Sequence, residues 1–271
     1  MSGWGMRPRH LILGLFASIL SAAGAQACSV ALVLAMDVSG SVDAYEYDLQ
    51  TQGVARALSE PAVADALLSG RAALALVQWS GSSEQAVSVP WTRIAEPADI
   101  RALALRIGTM ARAFAGGNTA VGEAIQVSAA LFDQVPDCAR WVIDVSGDGD
   151  ENEGFSVGAE RRAAWARAIT INGLAIEGAA TGTAITNFYR RWVVTPGGFV
   201  ITAQQHTDFA RAIRIKLLRE LIPPMARRRD RDAPPSAQVA QLAWWPQLSA
   251  SARALRSFHP RPNPYAGNDH M

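Results

Sequence analysis

The sequence predicts an α/β fold, a doubly wound, mostly parallel six-stranded sheet with one antiparallel edge strand. Strand-like and helix-like segments alternate along the chain, the pattern of a parallel sheet covered by helices on both faces. The apolar runs Leu32–Leu34 and Val142-Ile143 lack polar alternation, as strands buried on both faces do. The turn Ser80-Gly81-Ser82-Ser83 is shorter than the crossover of about a dozen residues that parallel strands require. The two strands it joins must therefore pair antiparallel.

Taken in order, strand Ser29–Met36 is a continuous apolar run and leads to helix Asp43–Leu58. Strands Ala72–Trp79 and Gln85–Trp91 flank the short turn, and helix Pro97–Ala111 follows them. Helix Gly122–Phe132 opens from a glycine-rich loop, and strand Arg140–Val145, with the apolar Val142-Ile143, is the second buried strand. Helix Gly158–Ala168, strand Thr170–Ile176, a short helix Ile185–Trp192 and strand Gly198–Thr202 continue the alternation. In the last helix, Asp208–Leu221, the residues Phe209, Ile213, Leu217 and Leu221 recur every fourth position and form one stripe that can pack on the sheet. Trp79, Trp91, Trp141 and Trp165 read as core or rim packing.

The chemistry sits at the ends of strands. Asp37-Val38-Ser39-Gly40-Ser41 follows the first apolar run and presents a carboxylate and two hydroxyls at alternate positions. The carboxyl end of a strand that opens a helix is where open α/β sheets bind ligands. Oxygen-only donors suit a hard cation such as Mg²⁺, although Ser39, Ser41 and Asp43 also fit plain turn and helix-capping roles. Gly116-Gly117-Asn118-Thr119 brings a threonine, and the strand ending Ser146-Gly147-Asp148-Gly149 brings an aspartate. This ordered triple resembles the von Willebrand factor type A domain with its metal-ion-dependent adhesion site. More narrowly, the chain resembles a bacterial branch known as domain of unknown function 1194, from about Ser29 to Leu221. The resemblance implies that Asp37, Ser39, Ser41, Thr119 and Asp148 hold Mg²⁺ or Mn²⁺, with a partner's carboxylate completing the coordination. It also implies strand order 3-2-1-4-5-6. One glycine more than the usual pattern stands before Asp148, which leaves Asp144 and Asp150 as substitutes.

Residues 1–27 read as a secretory signal peptide, with Arg7, Arg9 and His10, then the apolar Leu11–Leu20, then Ala25-Gln26-Ala27. No other apolar run is long enough to span a bilayer, so no integral span is expected once the signal is removed. Cleavage leaves Cys28 first, open either to lipidation or to a disulfide with Cys138, the one other cysteine. An exported chain with two cysteines favours the bridge. With the first and fourth strands adjacent, as the resemblance implies, both cysteines lie at the end of the sheet opposite the metal. The protein is thus expected to be periplasmic or secreted, with lipid anchoring at Cys28 the less favoured reading. Residues 28–222 form the folded domain and carry 16 Lys+Arg against 21 Asp+Glu, which argues against nucleic acid. Residues 223–271, rich in arginine and proline, read as a disordered tail.

The segment Asp148–Gly154 imitates a calcium loop in its first positions, but Glu153 and Ala159 stand where Gly and Glu are required. No nucleophile elbow, zinc-protease helix or phosphate loop is present. His206 reads as a capping or surface residue, and Lys216, the single lysine of the domain, lies far from the motif loops. The expectation is a binding domain rather than an enzyme, with an acidic protein partner. The alternatives are a Mg²⁺-dependent envelope hydrolase and a scaffold whose metal is structural. Ser80–Ser83, Phe114–Gly117 and Gly149–Gly154 are the expected specificity loops, with Phe114 as either an apolar anchor or a buried packing residue.

Overall fold

The computed structural model describes residues 28–178 and 182–222; the leader 1–27 and the tail 223–271, with the roles expected of them, lie outside the described residues. The strands are β1 (Ala31–Asp37), β2 (Ala73–Trp79), β3 (Gln85–Arg93), β4 (Trp141–Gly147), β5 (Ile169–Ile176) and β6 (Val200–Ala203). They form one sheet in the order β3-β2-β1-β4-β5-β6. Only β3 runs antiparallel, paired to β2 across the short turn. The other neighbours are parallel. This is the expected doubly wound fold.

The helices are α1 (Ala44–Leu58), α2 (Pro61–Gly70), α3 (Pro97–Gly108), α4 (Val121–Leu131), α5 (Val157–Ala166), α6 (Ala184–Phe188) and α7 (Phe209–Leu221). Alternate residues of β1 serve two separate cores. Leu32, Leu34 and Met36 join Val54 and Leu58 of α1, Ile100 and Leu103 of α3, and Phe209, Ile213 and Leu217 of α7. Ala31, Val33 and Ala35 face Val121 and Ile125 of α4 together with Ile143, Val145, Trp79 and Tyr189. A strand buried on both faces needs no polar alternation, which is why β1 reads as a continuous apolar run. Trp91 and Trp141 pack against Phe132, while Trp165 is half exposed.

Two elements depart from the sequence reading. No element was expected between Leu58 and Ala72, yet α2 occupies that stretch. Glu60 accepts from the Ala62 N–H and Pro61 takes the first turn, a start signal compact enough to be overlooked because only Val63 and Leu67 are buried. The short helix expected over Ile185–Trp192 is α6 followed by a π-helical turn, Tyr189–Val193.

The cysteines are bridged, with Cα atoms 4.4 Å apart and a separation of 110 positions in sequence. Ala139 N–H donates to the Cys28 carbonyl and Ala31 N–H to the Arg140 carbonyl, so β1 and β4 enter the sheet together. The bridge therefore lies at the end opposite Asp37, and it occupies the sulfur that lipidation would need. A disulfide suits a chain that works outside the reducing cytoplasm. Among the described residues no helix is long and apolar enough to cross a membrane.

Candidate metal centre

β1 delivers Asp37 fully buried at its carboxyl end. One oxygen, Oδ1, accepts the Ser39 N–H at 2.8 Å and so folds the chain back over the strand end. Ser39 Oγ and Ser41 Oγ lie 3.1 Å apart, and Ser41 Oγ donates to Asp148 Oδ1 at 2.6 Å. The ambiguity between capping and ligation is divided among residues. Asp43 caps α1 in a reciprocal box with Glu46, whereas the Ser41 hydroxyl turns to Asp148 and the Ser39 hydroxyl to Ser41. Arg112 braces the loop from behind, donating to the Val38 and Ser39 carbonyls at 2.8 Å. Gly40 N–H donates to the Gly117 carbonyl and ties this loop to the glycine-rich one.

That second loop turns through Gly116 and Gly117, whose φ values of 135° and 99° favour glycine. Thr119, 4% exposed, follows. Its N–H donates to Asn152 Oδ1 at 2.8 Å, and its carbonyl accepts from the Asn152 N–H at 3.0 Å. The loop after Asp148 thus clasps the threonine. A Cβ on Gly149 would stand 3.4 Å from Thr119 Oγ1, so the hydroxyl lies beside the residue next to Asp148.

Asp148 is the aspartate the structure brings to Ser41. Asp144 points elsewhere, into a buried ion pair with Lys216 at 2.7 Å, and Asp150 is exposed. Gly147 is the residue that admits this arrangement. A Cβ there would come within 2.7 Å of both Asp37 Oδ2 and Tyr189 Oη. The calcium-loop imitation dissolves, because Glu151 accepts from the Gly122 and Val157 N–H groups at the starts of α4 and α5, and Glu153 accepts from Ser82. Phe114 is half buried and packs on the α1–α3–α7 core, so it is not an exposed anchor. Phe155, in the loop after Asp148, is 79% exposed.

The electrostatics are those of a place short of positive charge. Burial, and then the neighbouring Asp148, push the Asp37 carboxyl up to about 7 against the opposing Ser39 hydrogen bonds. Asp37 Oδ2 and the Tyr189 hydroxyl are buried without a hydrogen-bond partner. The phenol is held well above its ordinary range by burial and by Asp37, Asp148 and Asp144. A buried polar atom left without a partner is expensive. A hard divalent cation would supply the missing partner, and the donors at hand are all oxygen. The residues fit such an ion.

His206 is not the capping or surface group the sequence suggested. Its side chain is 10% exposed, with Nδ1 3.0 Å from Glu46 Oε1 and Nε2 3.8 Å from Asp148 Oδ2. Glu46, Asp148 and His206 form the group of potential metal donors found among the described residues, with ligand atoms within 4.8 Å of one another. Nothing in the local sequence marks this, since the residues come from α1, the β4 loop and the turn before α7.

Several solved structures share the fold. A von Willebrand factor type A protein from Catenulispora acidiphila aligns over 71% of this chain and 43% of its own, at 17% identity and TM-score 0.52. Proximal thread matrix protein 1 from the mussel byssus, with a zinc-occupied MIDAS motif, covers 71% and 46% at 13% identity and TM-score 0.51. The pilus adhesin SpaC from Lactobacillus rhamnosus GG covers 70% and 30% at 14% identity and TM-score 0.52. The chain spans less than half the length of each, and at these identities the likeness shows the fold alone. No curated protein is significantly similar to the chain. The sequence profile described as "Protein of unknown function (DUF1194)" matches residues 27–225. The chain therefore belongs to that family, and it carries the family's sequence on a von Willebrand factor type A fold.

Proposed function

We propose that this protein is an exported binding domain that holds Mg²⁺ or Mn²⁺ on Asp37, Ser39, Ser41, Thr119 and Asp148. The ion then captures an acidic side chain of a protein partner. The observation that carries this reading is the buried, unpartnered oxygen of Asp37 beside a chain of hydroxyls that ends on Asp148. Three of the five donors are neutral hydroxyls, so the bound ion keeps positive charge and attracts an anionic oxygen from outside. When bound, the ion supplies an electrophilic anchor for that carboxylate. The chain's own residues hold and orient it: Arg112 stiffens the first loop, and Asn152 fixes Thr119. Phe155, exposed in the loop that follows Asp148, offers an apolar contact to the partner. The disulfide and the signal-like leader support export, and two fold neighbours, one a pilus adhesin and one with a zinc-occupied MIDAS motif, agree with a recognition role.

A second reading, a metal-dependent hydrolase, draws on the imidazole of His206 beside Asp148. Basic clamps for a transferred phosphoryl group are not among the five donors. The deciding experiment is capture from envelope extract by the purified chain with Mg²⁺ or with chelator, run beside Thr119→Ala. Metal-dependent capture lost in the variant supports the binding domain. Turnover of phosphate or glycan esters that Asp37→Ala abolishes overturns it.

A further inference from the structure

We propose that His206 and Asp148, with Glu46 as the outer support of the imidazole, form a second cation site, for a transition metal of the Zn²⁺ class, abutting the oxygen-lined site. It goes beyond the proposed function and shares with it only Asp148. The two oxygens of Asp148 face different ways: Oδ1 accepts from Ser41, while Oδ2 lies toward His206 Nε2. The imidazole is nine-tenths buried, and its Nε2 has no hydrogen-bond partner. Nδ1 stands 3.0 Å from Glu46 Oε1, an acceptor, so the ring proton belongs on Nδ1 and the lone pair on Nε2.

A lone pair and a carboxylate oxygen then face each other across 3.8 Å with no proton between them. That gap is too long for a hydrogen bond, yet two ligands each about 2.0–2.2 Å from one ion span it. A carboxylate that takes the far N–H of a ligating histidine, fixing its tautomer, is the common outer support of such ions; Glu46 is placed for that task, and its own Oε2 is anchored by the Asp43 N–H. Two carboxylates and a neutral ring balance a divalent charge. The imidazole is what separates this site from its neighbour, because nitrogen donors favour zinc-like ions over Mg²⁺. An open cavity of about 230 Å³, lined by Asp43, Glu46, Glu177 and His206 among others, gives water and ion an entrance from an acidic side.

The test titrates the chelator-stripped chain with Zn²⁺ and with Co²⁺, whose visible band reports nitrogen ligation, in saturating Mg²⁺. Circular dichroism verifies the fold of each variant. His206→Ala and His206→Gln are expected to weaken Zn²⁺ and Co²⁺ binding by about 10–100-fold and leave Mg²⁺ affinity within about twofold. Glu46→Ala should weaken Zn²⁺ less than loss of the ring does, while Thr119→Ala should lose Mg²⁺ and keep Zn²⁺. Unchanged Zn²⁺ affinity in both His206 variants overturns the proposal, as does a parent chain that binds no Zn²⁺ and merely loses stability without the ring. His206-dependent Zn²⁺ binding in a chain that ignores Mg²⁺ would sink the first metal reading and leave this one standing.

Discussion

Asp37 should make the metal-free protein less stable as pH rises through the range where most carboxylates have finished titrating. Its carboxyl ionises at an ordinary 3.8 in the unfolded chain and at about 7 in the fold, chiefly because burial disfavours the anion. A group raised in this way contributes its full stability below the unfolded value and loses it as pH climbs through the folded one. At about 1.36 kcal/mol per pKa unit, this group alone removes roughly 4 kcal/mol from the metal-free fold between pH 4 and pH 8. A bound cation reverses the cost, because it requires the ionised ligand. Denaturant unfolding in chelator across that range, for the parent chain and for Asp37→Asn, isolates the effect. Glu220 and Asp144, also raised by burial, are common to both chains and cancel in the difference. Calorimetry adds an independent reading: apparent Mg²⁺ affinity should fall about tenfold from pH 8 to pH 6 as Asp37 takes up its proton. Stability curves that run parallel in the two chains, or a Mg²⁺ affinity flat over those two units, would refute the reasoning.

Gly147→Ala places a methyl 2.7 Å from Asp37 Oδ2 and Tyr189 Oη. It should cost about 1–3 kcal/mol by overpacking and lower Mg²⁺ affinity at least tenfold by calorimetry. Lys216→Met leaves Asp144 and Glu220 buried without their cation, and should destabilise by about 3–5 kcal/mol in denaturant unfolding at pH 8. Cys138→Ser opens a bridge spanning 110 residues and should lose about 4–5 kcal/mol; because the bridge sits at the far end of the sheet, Mg²⁺ affinity in the folded fraction should be unchanged. Phe155→Ser, at an exposed position, should alter unfolding by less than about 0.5 kcal/mol while weakening capture of the partner in a binding assay.

The architecture was legible because it rests on local periodicity. β1 is buried on both faces and reads as an unbroken apolar run, β4 opens on the apolar Trp141-Val142-Ile143, α7 carries a four-residue stripe, and a four-residue turn leaves β3 no choice but to run antiparallel. The oxygen-bearing loops were legible for a related reason, since Asp37, Ser39 and Ser41 lie within one pentapeptide. Thr119 follows a pair of glycines, and Asp148 follows a strand end and a glycine. Helix α2 escaped because two buried side chains make too faint a stripe. The distribution of roles lay beyond local pattern altogether. That Ser41 meets Asp148, that Asp144 turns to Lys216, that Tyr189 closes over Asp37 and that His206 reaches Asp148 depend on the sheet order. That order sets the carboxyl ends of β1 and β4 side by side and packs α1 against α7 across them. A contact between residues distant in sequence has no period for the chain to display, and it exists only once tertiary packing has chosen which loops are neighbours.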